Sequence, residues 1–219
     1  MIKPIFRWIA AIAFLAVILP RPEPPAPPTP VAIVSAPAVT PSQLVDVAQV
    51  APSIRLDMRY ATTNNFMGKQ LYPVARCLLR PPVAQALAKV QAVLEQEGLS
   101  LKLWDCYRPL SIQEEMWAIV PDPRYVANPN PGSKHNRGAA VDLTLVGKDG
   151  APLEMPTEFD DFSEKASPDH PGMSPTAQSN SRKLSEAMTQ HGFSSIPTEW
   201  WHFDGADSQS FDVLGIPLK

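Results

Sequence analysis

Between Arg21 and Pro41 the chain reads "RPEPPAPPTPVAIVSAPAVTP", and eight of its 26 prolines fall in this stretch. Each proline locks φ at roughly −65° and removes a backbone donor, so neither a helix nor a sheet ladder can run through a segment this dense in them. The stretch predicts an extended polyproline spacer. It divides the chain into a leader (1–20), a proline-rich linker (21–44) and a folded part (45–219). The folded part is long enough for one domain with its own core and short for two.

The leader, "MIKPIFRWIAAIAFLAVILP", sets Lys3 and Arg7 ahead of an apolar run from Trp8 to Leu19, which is the layout of a secretory signal. A spanning helix needs about 20 apolar residues, so the run is short for one. No A-x-A-like cleavage site follows closely and no cysteine there could take a lipid. Export to the periplasm is the expectation, with the domain either soluble after cleavage or tethered to the inner membrane through this segment. The 19 basic and 22 acidic residues give a net charge of −3, without a basic block of the kind that binds nucleic acid. Cys77 and Cys106 are the only cysteines. An oxidising compartment permits a disulfide between them, and two buried free thiols are the alternative.

Within the folded part, "IRLDMRY" (54–60) alternates apolar and charged residues at the period of a half-buried strand. Pro81 and Pro82 precede an apolar series at helical spacing, Val83, Leu87, Val90 and Leu94, and Gly98 is placed to end that helix. "LSLKLWD" (99–105) predicts a second strand, with Arg108 just past its end. Ser111 and Glu114 suggest a capping box for a helix running to about Val120. Residues 121–132 read as loop, "AAVDLTLV" as a strand, "KDGAP" as a turn into a returning strand, and Ser181 to His191 as a helix closed by Gly192. "TEWWHFD" reads as a final strand. Helices and strands in mixed order, without regular βαβ alternation, predict a single α+β domain with a central antiparallel sheet and flanking helices.

Three short stretches carry chemistry-bearing residues. In "SKHNRGAAVDLTL" (133–145), His135 and Asp142 are a candidate pair of metal ligands, with Gly138 able to bend the chain between them. Taken alone, the pair reads first as hydrogen-bonding groups at a loop–strand junction and only second as metal ligands. In "EWWHF", Glu199 and His202 are three apart and flank Trp200 and Trp201, so an acid and an imidazole can share an apolar wall. Desolvation there would raise the carboxyl pKa, as suits a proton carrier. Arg108 could stabilise an oxyanion or orient an anion, although local sequence alone reads it first as an ordinary surface arginine. His170, in a polar loop, and His191, at a helix end, need no catalytic explanation.

With "LDMRYATTNNFMG" (56–68) and "WDCYRP" (104–109), these stretches give the chain from about residue 45 onward a resemblance to the VanX-type D-alanyl-D-alanine dipeptidases. That family consists of zinc peptidases related to D,D-carboxypeptidases and to the Hedgehog signalling domain fold. The resemblance implies one zinc ion per chain on His135, Asp142 and His202, Glu199 as general base and acid, and Arg108 as the group stabilising the transition state. It implies hydrolysis of a small substrate, the D-Ala-D-Ala dipeptide, by metal-activated water, with Ser133 as a further substrate contact. Phe203 stands where a tyrosine would also fit, and the exported, proline-tethered N-terminus departs from the cytoplasmic resistance enzymes. Two alternatives stay open. One is an exported D,D- or L,D-carboxypeptidase trimming peptidoglycan stem peptides, and the other is a zinc-containing wall-binding domain without catalysis.

Overall fold

The computed structural model describes residues 43–219; the leader and nearly all of the linker lie outside the described residues. In chain order the described residues form β1 (Val45–Asp46), α1 (Val47–Val50), β2 (Arg55–Leu56), β3 (Leu78–Leu79), α2 (Pro81–Gln96), β4 (Leu99–Asp105), α3 (Leu110–Ile119), β5 (Ala140–Gly147), α4 (Pro175–Gln190), β6 (Ser194–Ser195) and β7 (His202–Asp204). Five strands make one sheet in the order β2-β4-β5-β7-β6, and β1 pairs with β3 in a small separate ladder.

The α+β expectation stands, with one refinement. β4, β5, β7 and β6 pair antiparallel, whereas the edge strand β2 runs parallel to β4. A parallel neighbour needs a long crossover, and here the chain between β2 and β4 includes α2, whose apolar stripe covers the sheet. Val83, Leu87, Val90 and Leu94 are all buried in one cluster with Leu101 and Leu103 of β4 and Leu143 and Leu145 of β5. Leu103 faces Leu143 and Leu101 faces Leu145 in the ladder, so the four leucines form the patch that receives the helix. α4 packs beside α2 and against β5.

Several boundaries differ from the periodicity. The strand expected over 54–60 is only two residues long, because the chain turns into a 3₁₀ segment at Arg59–Ala61. There the carbonyl of Tyr60 accepts the amides of Leu71 and Tyr72 instead of a ladder bond. α3 begins at Leu110 with Pro109 as its cap, so Ser111 already lies inside the helix and no capping box forms. α4 starts earlier than its apolar spacing suggests, because Ser174 caps it through the amide of Ala177 and Pro175 occupies the first turn. The returning strand after "KDGAP" shrinks to a single bridge between Val146 and Pro152. Of "TEWWHFD" only His202–Asp204 is strand, leaving Glu199 in the turn before it.

Cys77 and Cys106 are disulfide-bonded across a sequence separation of 29 residues, which resolves the two readings of the cysteine pair. The bond ties the end of β4 to the segment entering β3. Closing a loop of this length removes enough unfolded-state entropy that the Cys77→Ser/Cys106→Ser variant is expected to be about 3–4 kcal/mol less stable. Denaturant unfolding of the oxidised protein and the variant measures this, and superimposable transitions would refute it.

Candidate active site

β4, β5 and β7 place three acidic or imidazole side chains in one row across the sheet. Asp105 pairs in register with Asp142, and Asp142 with His202. His135 joins them from the 3₁₀ turn His135–Arg137 just before β5. That turn ends at Gly138, whose φ of 65° lies in the left-handed region where a Cβ is strained; an added Cβ would also run into Leu44. The glycine therefore lets the chain reverse sharply enough for a loop histidine to meet a strand aspartate.

One atom from each of three residues meets at one point. His135 Nε2 is 3.2 Å from His202 Nδ1 and 3.4 Å from Asp142 Oδ1, and His202 Nδ1 is 3.0 Å from the same oxygen. All three side chains are buried. The far nitrogens settle the tautomers. His135 Nδ1 lies 2.7 Å from the carbonyl of Cys106 and must donate its proton there, and His202 Nε2 lies 3.0 Å from Asp204 Oδ1 and donates to that carboxylate. Two imidazole lone pairs and a carboxylate oxygen consequently face one another, an arrangement that requires a cation between them. A metal ion or an added proton can supply it. With protons alone, burial would lower the His202 pKa, but hydrogen bonds to Asp142 and Asp204 outweigh burial and push it up to about 10. Burial would likewise raise Asp142, yet His135 and His202 hold it well below the usual carboxylate range. Two neutral imidazoles and one carboxylate are a donor set that suits zinc with a fourth position open, and the carbonyl and carboxylate behind the rings are the supports such ligands use.

Glu199 stands beside this cluster, Oε2 3.9 Å from His202 Nδ1. Trp200 and Trp201 are buried next to it, and the rings of Trp104, Trp200, Trp201 and Phe159 pack edge-on or tilted against one another. Burial pushes the Glu199 carboxyl up to about 8, with His202 pulling the other way. Arg108 is equally enclosed. Its Nε and Nη2 donate to Asp105 Oδ2 at 3.0 and 2.7 Å, its Nη1 donates to Gln113 Oε1 at 2.9 Å, and its guanidinium lies over the Tyr60 ring. Burial would lower its pKa, but Asp105 more than reverses this, so the charge is held firmly. The surface-arginine reading is thereby set aside.

His135, Asp142, His202, Glu199 and Arg108 line one cavity of about 230 Å³, below the roughly 300–1,000 Å³ of sites for drug-sized ligands. Ser133 lies on its wall, where its amide donates to Asn136 Oδ1 and its Oγ receives the Asn136 amide. His170 and His191 line no part of it.

Sequence reasoning missed four members. Asp105 lies inside the quoted "WDCYRP" and could have been taken as the arginine's partner from its i, i+3 spacing. Tyr60 sits in the other quoted motif. Asp160 had no local signal: it lies in a polar loop, with its carboxyl receiving Tyr60 Oη at 3.0 Å and the Phe66 amide at 3.3 Å. Burial and then the nearby Asp142 raise that carboxyl to about 7. Gln113, on α3, is the fourth. At the solvent side, Phe162 contacts both Phe66 and Tyr125, so rings from three loops span the cavity rim.

A buried His–Asp–His donor set, a desolvated carboxyl and a fixed arginine in a mixed α+β domain define a hydrolase of the metallopeptidase type. The family model described as D-ala-D-ala dipeptidase matches residues 40–214. The D-alanyl-D-alanine dipeptidase of Escherichia coli (strain K12) is 40% identical over 173 residues, covering 79% of this chain and 90% of the relative. That of Enterococcus faecium is 31% identical over 179 residues, covering 71% and 87%. Among solved structures, the LD-carboxypeptidase LdcB has a TM-score of 0.44 at 16% identity, over 79% of this chain and 72% of that one. The chain belongs to the D-ala-D-ala dipeptidase family of peptidases.

Proposed function

We propose that residues 45–219 hydrolyse the D-Ala-D-Ala dipeptide to two D-alanines, with one zinc ion per chain held by His135, Asp142 and His202. The convergence of three acceptor atoms beside Glu199 and Arg108 carries this reading. Relatives of that activity, matching most of both chains, support the substrate. When bound, zinc would polarise the scissile carbonyl and acidify a water molecule. The remaining work falls to side chains. Cys106 O and Asp204 keep the two imidazoles in the tautomers that expose a lone pair. Glu199, whose desolvated carboxylate binds protons strongly, takes the proton of the attacking water and passes it to the leaving amine. Arg108 offers N–H donors to the oxyanion and needs no reorganisation to do so, because Asp105 already holds it. Asp160, backed by Tyr60, gives a carboxylate for the dipeptide's ammonium group, and Ser133, which lines the same cavity, contacts the substrate.

The small cavity and its aromatic rim favour a free dipeptide over a peptidoglycan stem. The zinc-loaded protein is expected to release D-alanine from D-Ala-D-Ala and none from a muropeptide ending in the same two residues, as followed by a D-amino-acid oxidase assay. Release from the muropeptide alone would instead establish the carboxypeptidase reading.

The signal-like leader and the disulfide support a periplasmic site of action, with the domain soluble after cleavage or tethered by its N-terminal segment.

A further inference from the structure

We infer that Gln113 is a positioning residue for Arg108, selecting which of the arginine's N–H groups face the substrate. The inference rests on the reading of Arg108 as the group that stabilises the oxyanion. A guanidinium has five N–H donors in a fixed plane. Asp105 Oδ2 takes the one on Nε and one on Nη2, and Gln113 Oε1 takes one on Nη1. One hydrogen on Nη1 and one on Nη2 are left; Nη2 lies 4.0 Å from Asp142 Oδ2, and Arg108 lines the cavity. The Tyr60 ring covers one face of the guanidinium, and Asp105 meets its edge through a single oxygen, about which the plane can still tilt. The second anchor, on the other terminal nitrogen, removes the tilt.

Gln113 is itself held with no alternative. Its side chain is fully buried, and its Nε2 donates to the carbonyl of Ala127 at 2.7 Å. Arginine can only donate and a backbone carbonyl can only accept, so one amide orientation satisfies both and the flipped one satisfies neither. Ala127 belongs to the loop whose residues 123–127 wall the cavity. The amide thus couples the position of that wall to the plane of the arginine.

The test uses the zinc-loaded enzyme and D-Ala-D-Ala. Gln113→Met keeps the side-chain length and removes both hydrogen bonds; kcat is expected to fall about 10- to 100-fold, the scale of a misplaced catalytic group, with KM within about threefold and zinc content unchanged. In an Arg108→Ala background the same substitution is expected to change kcat less than about twofold, because the group it orients is gone. Gln113→Glu, which keeps an acceptor for Nη1, should retain a kcat at least fivefold above the methionine variant. An equal loss of kcat in both backgrounds, or no loss in either, would overturn the inference. Should the methionine variant fail to fold or to hold zinc, Gln113→Leu and Gln113→Glu in the two backgrounds give the same comparison. If the unmodified enzyme fails to cleave the dipeptide, the functional reading falls, and nitrogen-15 NMR of the Arg108 Nη groups then tests the anchor itself. Hindered rotation of the Nη1 group that persists after the substitution would refute it.

Discussion

Glu199→Ala is expected to keep its zinc and lose turnover of D-Ala-D-Ala by about 10²- to 10⁴-fold, the range that a positioned general base contributes. The carboxyl is not among the three converging donor atoms, so its removal should leave metal content near one ion per chain. What disappears is, among the described residues, the only buried carboxyl next to His202 that burial pushes up to about 8 and that is neither a candidate ligand nor the Asp204 support. Metal analysis and single-turnover kinetics on one preparation separate the two effects. Turnover close to that of the unmodified enzyme would refute the assignment.

The same substitution has a stability signature with a definite sign. A carboxyl whose folded pKa is raised costs the fold nothing below its unfolded value of about 4.5, where it is protonated in both states. The cost accrues as pH rises from there towards 8 and is constant above. The stability of the metal-free Glu199→Ala protein relative to its parent should therefore rise between pH 4 and pH 8, on top of a pH-independent cost of the truncated side chain.

The second large effect concerns the metal. His202→Ala is expected to lose the ion on dialysis and all measurable activity with it, since it removes one of the three proposed ligands and leaves Asp204 without its partner. Asp204→Asn probes the same site more gently: a support behind a ligating histidine is worth about 10- to 100-fold in metal affinity, so this variant should regain activity at higher zinc concentration. Full occupancy of His202→Ala after dialysis would exclude His202 as a ligand. Rescue separates the two variants, because added zinc can restore a weakened site and cannot replace a missing ligand.

Much of the framework was readable along the chain. α2 and β4 announce themselves through apolar spacing, and Gly98 and the two prolines mark where the helix stops and starts. The boundaries that shifted did so where a local partner outcompeted periodicity: Tyr60 turned out of its strand by accepting two loop amides, and Ser174 opened α4 early. For the site, the motifs named His135, Asp142, His202, Glu199 and Arg108, and the fold brings all five to one cavity.

Three members show the limit. Asp105 and Gln113 both serve Arg108, but only the tertiary structure reveals that Asp105 lies in a row with Asp142 and His202, since strand register is a relation between segments about 40 and 60 residues apart. Asp160 lies in an unpatterned loop, and its role beside Tyr60 comes from folding across 100 residues. Residue types and spacing along one segment determine where a helix or strand can form and which groups are chemically able to bind a metal or carry a proton. Which groups meet, in which tautomer, and which N–H is left for the substrate are set by register and by hydrogen bonds between distant segments, which no single stretch of chain contains.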